Sequence, residues 1–532
     1  MTRSRLVIPN TIIIWLCQLF ALGPQLVVVP YLLSTLGESG FGVYTVIWSL
    51  ITAIDRFERS LQSGVVKYGA EHLGKNTLSP ISSILSCGFW CAVLVGAVAT
   101  TAILLATSFT EHLIPGIRPP LLVVAATVFL ISPTAPFLAL IHSRQHYYIT
   151  AVADLLAQYA ALSTILALFF FFKPSPTIAV IAMSTTLLVS RLAQLPCTYF
   201  LIPGLTRHFL SLDRRTLRAI ISFGSATVLL AGCGIANASG MKWLLTVLIS
   251  TTFVAHLGIA LTPSLLLSRL ASALTVTLMP ASSDCHARRD LPALQRLLLS
   301  GIRNSTHFVL TGNLLAIPLI PLAFEIWVGR EYRFLAPYAI GLLLGHSFFL
   351  STSPAHHIMK GLGRLRETVL IHFTVLVAIP VLVFTLLHRV GTDPYLAVTL
   401  SLTSGHCIGS FLNLARGANA TGLRLTTLLN RAYVQPLVPA LLSTGPSLII
   451  ANLKTETPLG IILAALSSVA FFEATWCLAI ASLEEKQRIR RLAKATFSRA
   501  PLPFRILLLH PITKPPEYPR VKNNPYTRKD FT

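Results

Sequence analysis

The chain has 532 residues, of which 54% are hydrophobic and only 11% charged, and its formal net charge is +23. A soluble chain carries about 25% charged residues, so hydrocarbon rather than water must cover much of this surface. The basic excess is not gathered into a basic domain interleaved with aromatics, which argues against a nucleic-acid-binding module and leaves basic residues as markers of the loops on one side of a membrane.

Apolar runs of roughly 20 residues, the length that spans a bilayer, recur about fourteen times. In chain order they lie near 11–35, 41–63, 81–108, 118–141, 147–172, 176–201, 218–248, 251–280, 304–328, 336–359, 367–388, 394–415, 432–452 and 458–482. The first is too long for a secretory h-region and lacks a small-residue cleavage site. The short turn at Gly37 to Gly42 predicts an antiparallel hairpin of the first two helices.

Alternating these runs across the membrane sorts the charge. Arg118, Lys173, Arg330, Arg333, Arg389 and Lys454 fall on one side. Arg56, Arg59, Arg191, Lys242 and Arg269 fall inside helices, and every other Lys and Arg falls on the side of the N-terminus. Such an asymmetry places that side, with both termini, in the cytoplasm.

The runs divide at the basic loop 207–218. An N-terminal lobe of six helices is expected over 1–216 and a C-terminal lobe of six over 217–430, with two further helices over 431–483 and a basic tail over 484–532. The predicted fold class is thus an all-α polytopic membrane protein, two six-helix lobes around a central cavity plus two C-terminal helices, a geometry that fits transporters built from two bundles. The start of the tail, LEEKQRIRRLAKA, reads as a surface amphipathic helix or as a solvated tail.

The second helix carries IDRFERSLQS, which sets Asp55, Arg56, Glu58 and Arg59 at membrane depth. Thr45, Ser49, Thr52, Arg56, Arg59 and Ser63 recur at helical spacing and draw one polar stripe. A charge there costs at least a few kcal/mol, so it faces a cavity, or Asp55 and Arg59 pair to hold the helix. Arg191 with Gln194 in the sixth helix and Arg269 in the eighth complete the candidates. Together Arg56, Arg59, Arg191 and Arg269 would make a cationic cavity, and arginine's planar fork suits a diphosphate. Asp154, four residues before Gln158, is a candidate coupling carboxylate. Glu473, deep in the last helix, reads as a helix–helix hydrogen bond.

His346, His356, His357 and His406 are open to a proton-relay reading. The eight Cys include no CxxC pair, so no metal site is expected. No phosphate-cradling loop, dinucleotide fingerprint or nucleophile elbow is present, which leaves no catalytic residues, no cofactor and no ATPase to name. A membrane polymerase or ligase would present a sizeable loop on the far side, and the loops here are short.

The opening VVPYLLSTLGESGFGVYTVIWSL, the following SGVVKYGAEHLGK, and LTVTLMPASSDCHARRDLPALQRLLLSGIRNS leaving the eighth helix resemble the polysaccharide (O-antigen) flippases of the Wzx type. These belong to the multidrug/oligosaccharidyl-lipid/polysaccharide superfamily. The resemblance implies two lobes around a cationic cavity in a bacterial inner membrane. It also implies movement of a polyprenyl-diphosphate-linked oligosaccharide between leaflets by alternating access. It carries contact with the glycan and phosphates over to Arg56, Arg59, Arg191 and Arg269, beside which Asp55 and Glu58 stand as further candidate substrate-binding residues, and it implies glycosyltransferases and a polysaccharide polymerase as partners. A drug or metabolite exporter, or a lipid II flippase, of the same superfamily is the alternative.

Overall fold

The protein is described here from a computed structural model covering residues 7–74, 79–202, 213–275, 278–445 and 458–477, and all of its regular elements among those residues are helices. Met1–Thr475 forms one compact unit. The second unit, Trp476–Thr532, is described only at residues 476–477, so the predicted basic tail lies outside the described residues.

The helices run α1 Val7–Phe20, α2 Leu22–Leu61, α3 Ser63–Gly74, α4 Ser79–Leu113, α5 Arg118–Ile131, α6 Ala135–Ser143, α7 Tyr147–Phe171 and α8 Pro176–Leu201. Then come α9 Arg214–Ile235, α10 Met241–Leu248, α11 Thr251–Thr275, α12 Leu278–Ala287, α13 Leu291–Trp327, α14 Ala336–Gly361, α15 Leu365–Thr385, α16 Pro394–Thr421, α17 Leu425–Leu429, α18 Gln435–Leu442 and α19 Pro458–Thr475. Among the described residues 12 stretches are long and apolar enough to cross a membrane. The first, Leu16–His72, takes in most of the first predicted span and all of the second, and α2 breaks between them at Gly37, whose φ of 70° is outside helical geometry. A residue without Cβ adopts that φ freely, which is why the turn falls there.

The two limbs of α2 are antiparallel, as the Gly37 turn predicts. Tyr159 of α7 donates to the Phe20 carbonyl and Tyr31 meets Phe169, so the first limb runs with α7. Arg191, midway along α8, reaches Asp55, while Gly40 sits near Pro176 at the start of α8, so the second limb runs with α8. The end of the bundle where Arg214, Arg215, Arg288, Arg289, Arg364 and Arg366 emerge is called the basic face below, and the other end the far face.

One helix boundary differs from expectation: α13 begins at Leu291 rather than near 304. Asp290 caps α13 by accepting from the Ala293 amide, and Pro292 fits its first turn. This start is amphipathic rather than apolar, so hydropathy alone passes over it. The thirteenth predicted span is seen only as α17 and α18 joined by a π turn, and its end lies outside the described residues.

Within the unit, α4 packs on α5, α5 and α7 pack on α8, and α3 on α6. In the second half α13 and α16 pack on α14, and α15 on α16. The second limb of α2 lies in the seam, against α9 and α11. The outer surface is apolar, with Phe170 84% and Phe200 85% exposed. Side chains of that size in contact with water would be an association hazard, and in hydrocarbon they are at rest.

Candidate functional site: a charged cavity beside an apolar groove

The seam helix brings together most of the charges singled out in the sequence. Asp55 accepts from Arg59 Nε at 2.8 Å, one helical turn on, and from Arg191 Nη2 at 2.6 Å. Arg59 Nη2 also stands 3.6 Å from Asp154 Oδ2 on α7. These groups line a cavity of about 1080 Å³ including its mouth, with Gln25, Trp48 and Thr52 from α2, Gln158 from α7 and Arg269 from α11. Arg191 is buried, 4% exposed, which a guanidinium tolerates only when paired.

The charges do not cancel. Asp55 and Asp154 are set against Arg59 and Arg191, and Arg269 remains. Its Nη1 is buried without a hydrogen-bond partner. An unpartnered guanidinium nitrogen in a cavity is an open donor for an anion.

The predicted polar stripe of α2 divides into two. Thr52, Asp55 and Arg59 line the cavity. Ser49 and Ser63 face the other half of the molecule instead, where Ser239 donates to the Ser49 carbonyl at 2.9 Å and the Ser63 and Thr227 hydroxyls meet at 3.0 Å. Arg56 belongs to this second face. It lies outside the cavity lining and within electrostatic reach of Lys242 on α10, and among the described residues neither cation has an acidic partner. The five-residue π turn Ala236–Gly240 immediately precedes Lys242 and resets its register, a distortion common at functional sites.

Glu58 points away from the larger cavity. It is buried, accepts a short hydrogen bond from Ser132 Oγ, and lines a smaller pocket with Gln62, His142 and Arg191. Asp154 is bound by Gln158 only through its carbonyl, at 3.2 Å, which leaves its carboxylate to the cavity. Glu473 accepts from Thr311 at 2.9 Å and lies 3.2 Å from His307 Nε2, tying α19 to α13 as its depth predicts.

Beside the charged cavity, on the adjoining faces of the same two helices, runs an apolar groove. Leu26, Val27, Pro30 and Tyr31 of α2 form one wall and Leu266, Leu267 and Leu270 of α11 another, and α13 closes it with Leu315, Leu319 and Phe324. It encloses about 1940 Å³ including its open side. Gln25 and Val28 on one side of α2 look into the charged cavity, and Arg269 does so between the groove-lining leucines of α11.

At the far face the two halves meet through groups that the sequence reading did not single out. Glu38, beside the Gly37 turn, accepts from Tyr332 at 3.1 Å and stands 3.2 Å from His256 Nε2. His256 Nδ1 pairs with the Tyr395 hydroxyl at 2.6 Å. Gly42 allows the closest approach: a Cβ there would lie 2.0 Å from the Thr251 carbonyl oxygen. A lone acid in a turn and a lone histidine on an apolar helix give no sequence signal, because what makes them a cluster is the packing of α2 on α11.

No protein-family model and no curated protein sequence matches the chain. Solved structures do. The chain is similar to a multidrug resistance MATE family transporter of the MOP superfamily in its inward-facing conformation, with 13% identity, TM-score 0.62, and 77% of this chain and 94% of that one covered. It is similar to an outward-facing conformation of such a transporter, with 14% identity, TM-score 0.58, and coverage of 78% and 95%. A MOP superfamily transporter from Pyrococcus furiosus, described as having a binding pocket of reversed polarity, aligns at 13% identity, TM-score 0.60, with 78% and 95% covered. The fold is therefore the two-lobed, all-helical fold of MOP superfamily transporters.

Proposed function

We propose that the chain is a transporter of a lipid-linked anion, and specifically a flippase that carries a polyprenyl-diphosphate-linked oligosaccharide from the cytoplasmic to the periplasmic leaflet of a bacterial inner membrane, with both termini cytoplasmic. The observation that carries this reading is the shared wall between two concavities of opposite chemistry. Arg269 looks into the charged cavity while its neighbours Leu266, Leu267 and Leu270 line the apolar groove. A ligand that fills both is amphipathic, with an anionic head and a long apolar tail. The head needs a donor without a carboxylate partner, which Arg269 supplies in the cavity, while Arg56 and Lys242 add positive charge at the seam on the other face of α2. The tail never leaves a hydrocarbon environment, which avoids the cost of about 0.8 kcal/mol per CH₂ exposed to water. Rocking of the two lobes about the seam then presents the head to one leaflet and the other in turn. A lipid II flippase would use the same chemistry.

An exporter of small cations is the second reading, and the cavity carboxylates Asp55 and Asp154 favour it. Each of them stands beside an arginine, which weakens its attraction for a cation.

The test is complementation of cells lacking their own flippase, with wild type, Arg269→Ala and Arg56→Ala at matched expression. Surface polysaccharide and the leaflet of the lipid-linked precursor are read. Restored export by wild type, with precursor held on the cytoplasmic side in both variants, supports the flippase. No restoration with several glycan systems, together with efflux of small cations, would replace it with the exporter.

A further inference from the structure

The proposed transport cycle draws on cations of α2, α10 and α11. A separate basic group stands at the basic-face end of α14 and α15. His356, His357 and Lys360 lie on the last two turns of α14, and His372 lies two turns into α15. The His356 ring centroid is 5.6 Å from that of His357 and 5.0 Å from that of His372. Lys360 follows His357 by three residues and His356 by four, the spacing that brings side chains together on a helix surface. It acts electrostatically on all three imidazoles. All four side chains are half-buried.

No acid of the surrounding helices answers this charge. Among the described residues α9, α11, α14 and α16 contain neither Asp nor Glu. α15 and α12 carry one acid each, and both are engaged elsewhere: Glu367 by Arg364 at 3.2 Å and Arg416 at 3.9 Å, Asp284 by Arg288 at 3.0 Å. Glu325 and Glu331 lie at the opposite, far-face end of α14. Hydrogen bonding is incomplete in the same place. His372 Nδ1 donates to the Thr368 carbonyl at 2.9 Å, which leaves its Nε2 for another group, and His356 Nδ1 is buried without a partner. A cation at the edge of hydrocarbon is costly without a counter-charge, and the C-terminus of a helix offsets only part of it.

Depth identifies the missing anion. α14 has 26 residues, about 39 Å of helix, and overshoots a hydrocarbon core about 30 Å thick by several Å at each end. His356 and His372 lie about 8–11 Å inside the basic end of their helices and Lys360 almost at it, so the group spans the boundary at which lipid phosphates lie. Basic pockets between membrane helices at that level bind lipid headgroups. A phosphate offers several acceptor oxygens to donors that approach from two helices, and lysine is a common phosphate binder. We propose that His356, His357, Lys360 and His372 form a binding site for the phosphate of an anionic membrane lipid, between α14 and α15 at the basic face. The site goes beyond the transport reading and does not depend on it. A bound phosphate supplies the absent counter-charge and ties the two helices together. A phospholipid and a lipid diphosphate both carry this chemistry.

The experiment uses the full chain in detergent, stripped of lipid and then supplied with phosphatidylglycerol or with zwitterionic phosphatidylcholine. Native mass spectrometry reads the lipid retained, and thermal unfolding reads its effect. Wild type is expected to retain phosphatidylglycerol in preference to phosphatidylcholine and to melt higher with it. Lys360→Gln and His356→Gln should each weaken that retention by about tenfold, the effect of one lost charge-assisted contact, and Lys360→Arg should keep it. Arg366→Gln removes an exposed cation of the same face outside the site and should change nothing, which separates a built site from diffuse attraction. Competition with geranylgeranyl diphosphate distinguishes the two sources: displacement of phosphatidylglycerol assigns the site to lipid diphosphates, and resistance assigns it to phospholipids. Equal retention of both lipids by wild type, or retention unchanged in both Lys360→Gln and His356→Gln, overturns the site. None of these readouts involves transport, so a failed complementation leaves the lipid site standing, and a failed lipid test leaves the flippase reading standing.

Discussion

Arg191 donates from Nη2 to Asp55 Oδ1 at 2.6 Å, joining two helices 136 residues apart in the chain, and Arg59 closes on the same carboxylate from one turn below. Removing the acid leaves the buried Arg191 guanidinium without its counter-ion and Arg59 with Asp154 alone. Asp55→Ala should therefore destabilise the chain by roughly 3 kcal/mol. The double variant Asp55→Ala/Arg191→Ala should recover part of the loss, because the orphaned charge is gone too. Thermal unfolding in detergent checks this, and additive losses would mean that the pair is not coupled.

Arg56 and Lys242 present the opposite case: two cations in reach of each other, neither of them in an ion pair among the described residues. Arg56→Ala and Lys242→Ala should leave the thermal midpoint unchanged or raise it, since a like-charge contact is relieved. Transport of a lipid-linked anion should fall by about tenfold or more, the effect of losing about 1.4 kcal/mol of charge-assisted binding. Parallel melting and flipping assays separate the two effects. A drop in stability equal to that of Asp55→Ala would assign these cations a structural role.

These two groups show how far the residues alone can be read. The depth of Asp55, Arg56 and Arg59 is legible because α2 is apolar around them, and charge at membrane depth is costly enough to demand a partner or a cavity. The partners are not legible. Spacing of three and four places Arg56 and Arg59 on one stripe, yet 60° of rotation between them suffices to send Arg59 to Asp154 and Arg56 to the seam. Lys242 could be seen within its helix but not connected to Arg56, because the π turn that sets its register has no sequence signature. The groove is hidden for the same reason. Leu266 and Leu270 look like any lipid-facing leucines until α13 is placed opposite.

Asp213 caps α9 outside the membrane spans, accepting from the Thr216 hydroxyl at 2.5 Å and from the Thr216 and Arg215 amides. The hydrogen bonds from Thr216 hold its carboxyl below the usual range. A carboxyl lowered on folding stabilises the fold above its unfolded pKa of about 3.9, and that contribution is lost as pH falls through the lowered value. Asp213→Asn should thus melt below wild type at pH 7, and the gap should close in acid. A gap that is independent of pH would show that the charge adds nothing to the cap.

Gly42 lies near the far-face end of the seam limb of α2 and Gly64 just past its other end, at the start of α3, and each meets a backbone carbonyl across the seam. A Cβ on Gly42 would strike the Thr251 carbonyl at 2.0 Å at the far face, beside the Glu38–His256 contact. A Cβ on Gly64 would come within 2.8 Å of the Ile220 carbonyl, and one on Gly224 within 2.9 Å of the Leu61 carbonyl, both near the basic face. Backbone atoms cannot yield as a flexible side chain can, so each added methyl must part the helices locally. Gly42→Ala should open the far end of the seam, and Glu38→Ala should act in the same direction by removing the acceptor of Tyr332. Gly64→Ala and Gly224→Ala should open the basic end. Amide hydrogen exchange in nanodiscs distinguishes the two outcomes: faster exchange at the start of α11 for the first pair, faster exchange at the start of α9 for the second. On the proposed alternating cycle about one seam, opening one end by force should slow exchange at the other. Faster exchange at both ends from a single substitution would mean that the halves loosen independently and that the seam is not the hinge of an alternating cycle.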